Sequence, residues 1–157
     1  MIALVDYGAG NLTSVRKALT TLGAAFETPR EPAECRKAAA LIVPGVGNFA
    51  ATEALTAPWR DAIRAAVDEG TPLLGICVGM QWLFEGSDEA PEVPGLGVLP
   101  GRVQRLRGDA ALHLKVPHVG WNAHTAPWRG RWRARRWRNR RRNRAPAPTA
   151  DRRPCAL

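Results

Sequence analysis

Leu73-Leu74-Gly75-Ile76-Cys77-Val78-Gly79-Met80-Gln81, residues 73–81, joins a short apolar run to a cysteine with glycine two residues to either side. The run 73–76 reads as a buried strand, and residues 78–84 start a helix directly after Cys77. A cysteine at a strand end and helix start, in the pattern Gly-x-nucleophile-x-Gly, is the arrangement of a nucleophile elbow with Cys in the serine position. The glycines serve a sharp turn in which neighbouring backbone must approach closely. Free N–H groups at the helix start favour a thiolate over a thiol and can face a developing oxyanion. The bland alternative is a core cysteine, since free Cys is among the most buried residue types.

The same strand-then-glycine pattern recurs upstream. Residues 40–43 form an apolar run cut by Pro44-Gly45-Val46-Gly47-Asn48-Phe49, and residues 2–6 form another that ends before Gly8 and Gly10. Residues 24–28 fit a further strand. Between the strands lie helix patterns. Asn11 or Thr13 can cap a helix carrying Leu12, Val15, Leu19 and Leu22 on one face, with Gly23 as its stop. Residues 59–69 carry Trp59, Ile63, Ala66 and Val67 along one face, with Gly70 after them. Strands that are apolar on both faces and separated by helices imply an α/β fold with a parallel sheet covered on two sides. Loops at the carboxyl ends of such strands line the ligand crevice. That gives the loop at residues 44–47 a functional reading beside that of an ordinary strand-to-helix turn. Asp6-Tyr7-Gly8-Ala9-Gly10-Asn11 is a poor dinucleotide fingerprint, because Thr13 stands where the third glycine belongs. From about Glu92 closely spaced Gly and Pro with short alternating runs suggest hairpins or an edge extension of the sheet.

Charge divides the chain in two. Residues 1–122 carry 11 Lys+Arg and 13 Asp+Glu, whereas residues 123–157 carry 12 Arg and a single acid, Asp151. The overall net charge of +9 therefore belongs to the tail. Leu157 is the only large aliphatic residue after Asn122. Such a segment has too little apolar surface to offset its ordering entropy, and a disordered basic tail is expected. Its Arg residues, with Trp128, Trp132 and Trp137 among them, would bind polyanions nonspecifically. Its dominance by residue types with G/C-rich codons also suits a shift of reading frame. No apolar stretch reaches the ~18 residues of a membrane helix. Cys35, Cys77 and Cys155 are odd in number and far apart, which fits a reducing cytoplasm and no zinc site.

GICVGMQ (75–81), PGVGNF (44–49) and LVDYGAGNL (4–12), in collinear order, resemble the class I glutamine amidotransferases. YGAGNL and KVPHVGWN (115–122) resemble, within them, the glutamine amidotransferase subunit of imidazole glycerol phosphate synthase. The resemblance covers residues 1–122. It implies a flavodoxin-like amidotransferase domain, incomplete here, followed by the non-family tail 123–157. It implies histidine biosynthesis as the pathway, glutamine as substrate, a cyclase as partner and no cofactor or metal. By the same resemblance Cys77 is the nucleophile, and Gly45, Val46, Gly47 and Val78 form the oxyanion loop. Gln81 and Glu89 hold the amino-acid end of the substrate, and Tyr7, Asn11, Trp121 and Asn122 face the cyclase. An amidotransferase of another pathway, such as anthranilate synthesis, is the runner-up. A noncatalytic cyclase-binding remnant or a nucleic-acid-binding protein are the other readings. One departure stands out. The family closes a Cys-His-Glu triad with a His-x-Glu pair, and none of His113, His118 or His124 is followed by Glu two residues later. The chain is therefore expected to be inactive as a glutaminase.

Overall fold

The computed structural model describes residues 1–106. His113, His118, His124, Trp121, Asn122 and the tail 123–157 lie outside the described residues.

Four parallel strands form the main sheet: β1 (Ile2–Leu4), β2 (Phe26–Glu27), β3 (Ala40–Gly45) and β4 (Leu73–Cys77), in the order β2-β1-β3-β4. The expected strands at 2–6, 40–43 and 73–76 are thus immediate neighbours, with the reversal of strand order of a doubly wound sheet. Helix α1 (Leu12–Thr21) lies between β1 and β2, and α2 (Ala57–Asp68) between β3 and β4. Short 3-10 segments occupy Pro32–Lys37 and Phe49–Ala54.

Local chemistry sets the helix ends. The Asn11 side chain accepts the Ser14 N–H at 3.1 Å, so Asn11 rather than Thr13 caps α1. At the other end Gly23 (φ +65°) donates to Thr20 and Ala24 donates to Leu19, each at 3.0 Å. This pair of bonds closes the last turn around a left-handed residue. The end of α2 repeats it, with Gly70 at φ +100° and the N–H of Thr71 on the Ala66 carbonyl at 2.9 Å.

The two faces of the sheet differ. On one, Ala3, Val5, Leu41 and Val43 pack against Cys35, Phe49, Leu55, Ile63, Ala66 and Trp82. On the other, Leu4 and Ile42 meet Leu19 of α1, with Leu12 and Val15 beside it. Leu74 and Ile76 stand in register with Ile42 and Pro44, on the same side as α1, yet they remain 54% and 37% exposed. Among the described residues the expected two-sided cover therefore holds over β1 and β3 and not over β4: α1 reaches only the first strands.

A second, three-stranded sheet follows: β5 (Gly86–Ser87), β6 (Ala90–Pro94) and β7 (Arg102–Val103), in the order β6-β5-β7. The hairpin expected from Glu92 thus begins earlier, at Gly86. It builds a separate sheet rather than an edge extension of the first. No helix among the described residues is long and apolar enough to cross a membrane.

Candidate active site

Cys77 is the last residue of β4 and immediately precedes α3 (Val78–Gln81). Its backbone lies at φ 55°, ψ −117°, and it is the only non-glycine residue with positive φ among the described residues. For a residue with a Cβ this conformation costs of order 1–3 kcal/mol and persists only where the surroundings enforce it. The enforcement is visible. A Cβ on Gly75 would lie 2.5 Å from the Met80 Cα, and one on Gly79 would strike the carbonyl oxygen of Val43. The two flanking glycines thus let β4 turn straight into α3 while α3 presses on β3. The strain is aimed at Cys77, whose residue is exposed, and its sulfur accepts no N–H from α3. Because α3 is a single turn, the expected help for a thiolate comes from the N–H groups of that turn and not from a long helix dipole.

Beside the cysteine lies the expected oxyanion loop. Gly45 ends β3 in direct register with Cys77, and Pro44 pairs with Ile76. Gly45 is buried, while Val46 and Gly47 are exposed and Gly47 takes φ +84°. Asn48 then starts the 3-10 turn, its side chain accepting the Ala50 N–H at 2.8 Å. Val78 is buried behind the elbow. The structure brings Cys77, Gly45 and Val78 together, with Val46 and Gly47 on the accessible side.

The other expected site residues divide. Gln81 ends α3 and is partly buried. The Glu89 carboxylate accepts the backbone N–H of Phe49 at 2.8 Å, so it already fastens the β5–β6 turn to the loop after Gly47. Asn11 caps α1 at the same end of the sheet. Tyr7 is half-buried, and its hydroxyl lies buried against the elbow without a hydrogen-bond partner. It lies 2.8 Å from where a Gly45 Cβ would stand. Burial first, and the neighbouring Cys77 second, push its phenol up to about 12. The motif around Tyr7 flagged a turn, but nothing in its spacing could show that Gly45 leaves room for the ring to reach across.

A parallel α/β sheet whose β4 ends in a strained cysteine elbow beside a glycine-rich loop is the architecture expected of a class I amidotransferase domain. The family model for class-I glutamine amidotransferases matches residues 3–125, and the chain belongs to that family. Among curated proteins it is 48% identical over 122 residues to the imidazole glycerol phosphate synthase subunit HisH of Thermococcus kodakarensis, covering 78% of this chain and 57% of that protein. It is 50% identical over 126 residues to the HisH subunit of Halalkalibacterium halodurans, covering 78% and 59%. A crystal structure described as that of a glutamine amidotransferase superposes with a TM-score of 0.57 at 31% identity, over 67% of this chain and 57% of that one. The chain thus spans rather less than two thirds of the length of the relatives it matches.

Proposed function

We propose that this chain carries the thioester-forming part of the glutamine amidotransferase subunit of an imidazole glycerol phosphate synthase. The observation that carries the reading is the left-handed Cys77 in register with Gly45. The Cys77 sulfur attacks the side-chain amide carbon of glutamine, and the carbonyl oxygen takes up the electron pair. Donors at the Val46–Gly47 loop and at Val78 receive that charge. Collapse breaks the C–N bond, releases ammonia once the nitrogen gains a proton, and leaves a γ-glutamyl thioester. Water then frees glutamate and restores the thiol. Gln81 and Glu89 hold the amino-acid end of glutamine, and Asn11, Trp121 and Asn122 meet a cyclase that consumes the ammonia in histidine biosynthesis. Free Cys35 and Cys77 suit the reducing cytoplasm as its setting. The similarity to HisH subunits supports this assignment over an amidotransferase of another pathway.

Proton transfer is the missing element. A base must hold the sulfur as thiolate, an acid must protonate ammonia, and water must be activated against the thioester. Residues 1–157 contain no His-x-Glu pair for that work. Loss of a base commonly costs a factor of ~10² to 10⁴. The chain is therefore expected to release little ammonia from glutamine, even with the cyclase and its ligand present, and yet to be labelled at Cys77 by an electrophilic glutamine analogue. Turnover near ~1 s⁻¹, within the ordinary enzyme range, would overturn the inactivity. Labelling of Cys77 no faster than by an equally electrophilic reagent without the amino-acid group would overturn glutamine as the ligand.

A further inference from the structure

The carboxyl end of the sheet holds a polar group that the reaction above does not use. Ala3, Val5 and Tyr7 continue one face of β1 and its extension, and this face joins the core containing Leu41 and Val43. Gly45 is the next residue of β3 on that face, and Cys77 is in register with it on β4. The three residues therefore form a row across three neighbouring strands, and the middle one has no side chain. The phenol of Tyr7 fills that gap. Its oxygen stands 2.8 Å from the position of a Gly45 Cβ, which itself would be 2.8 Å from the Val78 Cβ and 2.6 Å from the Gly79 nitrogen. Adjacent strands lie about 4.8 Å apart, so a group seated over Gly45 is within one strand spacing of the cysteine. The hydroxyl is buried and unpartnered. A buried donor left without a partner is costly, and an acceptor brought within its reach would relieve that cost.

We propose that the Tyr7 hydroxyl, reaching across the side-chain-free Gly45, is a hydrogen-bond donor to the Cys77 sulfur when that sulfur is an anion. A neutral phenol suits the role, since it has a proton to give and no charge of its own, and the neighbouring cysteine itself disfavours the phenolate. Few other charges compete. Neither residues 44–47 nor Val78–Gln81 contain a titratable side chain. The Asp6 carboxylate is occupied with the Gly8 N–H at 3.1 Å and with Arg16 at 3.7 Å, and that of Glu89 with Phe49. The inference needs only the elbow and not the glutaminase reading, because its readout is the chemistry of the thiol.

The experiment compares Tyr7→Phe with the parent chain. Phenylalanine keeps the ring and removes only the unpartnered oxygen, so the fold loses no hydrogen bond. Alkylation of Cys77 by iodoacetamide is followed by peptide mass spectrometry as a function of pH, which separates it from Cys35 and Cys155. The variant is expected to react about fivefold or more slowly near neutral pH, as befits a lost bond to a charged group, and to match the parent in strong alkali, where thiolate no longer depends on a donor. Equal rates at every pH would overturn the proposal, and so would a deficit of the same size at every pH, which marks disturbed packing. An independent check uses the fact that Tyr7 is the only tyrosine of the chain. After a rapid pH jump, its ultraviolet ionisation midpoint is expected to fall from about 12 once Cys77 is carbamidomethylated. An unmoved midpoint would mean that the two groups do not meet.

Discussion

Gly79 has no room for even a methyl group, because its Cβ would strike the carbonyl oxygen of Val43. That obstacle is backbone in a sheet and cannot rotate aside. Gly79→Ala is expected to destabilise the fold by about 1–3 kcal/mol in urea denaturation and to release Cys77 from its left-handed conformation. Cys35 makes a different test. It is fully buried beneath α2, and burial first, with Glu34 second, pushes its thiol up to about 11 from an ordinary 9. The folded state therefore keeps a proton that the unfolded chain loses sooner. Stability is complete below pH 9 and is lost as pH rises through 11, by roughly 2–3 kcal/mol. Tyr7 adds a further decline in the window above, from 10 towards 12. Denaturation curves measured across this range should show the fall, and Cys35→Ala should flatten its lower part.

At the scale of elements, β4 is one of the two edge strands of the main sheet among the described residues, β2 being the other. Strand β4 pairs only with β3 among the described residues, and its outer face shows Leu74 and Ile76 to solvent. An apolar edge strand of this kind is a template for association. Leu74→Lys is expected to change stability by no more than about 0.5 kcal/mol, because more than half of Leu74 is already exposed. It should lower the apparent mass seen by light scattering at high protein concentration. The β5–β6 turn offers the converse case, a polar contact that matters. Glu89→Ala removes the acceptor of the Phe49 N–H at the head of a 3-10 turn. A loss of about 1 kcal/mol is expected, with faster exchange of the Phe49 amide as its local signature.

Across the whole chain the opposed charges of residues 1–122 and 123–157 predict tight binding to heparin that weakens steeply with salt, and loss of that binding when residues 123–157 are removed. Much of the architecture was legible because its signals are local. Apolar runs cut by glycine marked β1, β3 and β4, and Gly23 and Gly70 marked the helix ends. The Gly-x-Cys-x-Gly spacing marked the elbow, since only a sharp turn needs both glycines. What escaped was of two kinds. The strands β5 and β7 have two residues each, too few for a period to show. Coverage and reach across the sheet are nonlocal: apolar composition cannot tell that α1 stops short of Leu74, nor can a glycine at 45 announce that a tyrosine from another strand will occupy its space. The position of β4 also orders the events of opening. Subglobal opening starts where the fewest partners must be given up. The carboxyl end of β4 should therefore detach before β1 or β3 does, relaxing Cys77 into an ordinary backbone conformation. The elbow then behaves as a spring clip at the edge of the described sheet, with its reactive geometry set by how often β4 is closed against β3.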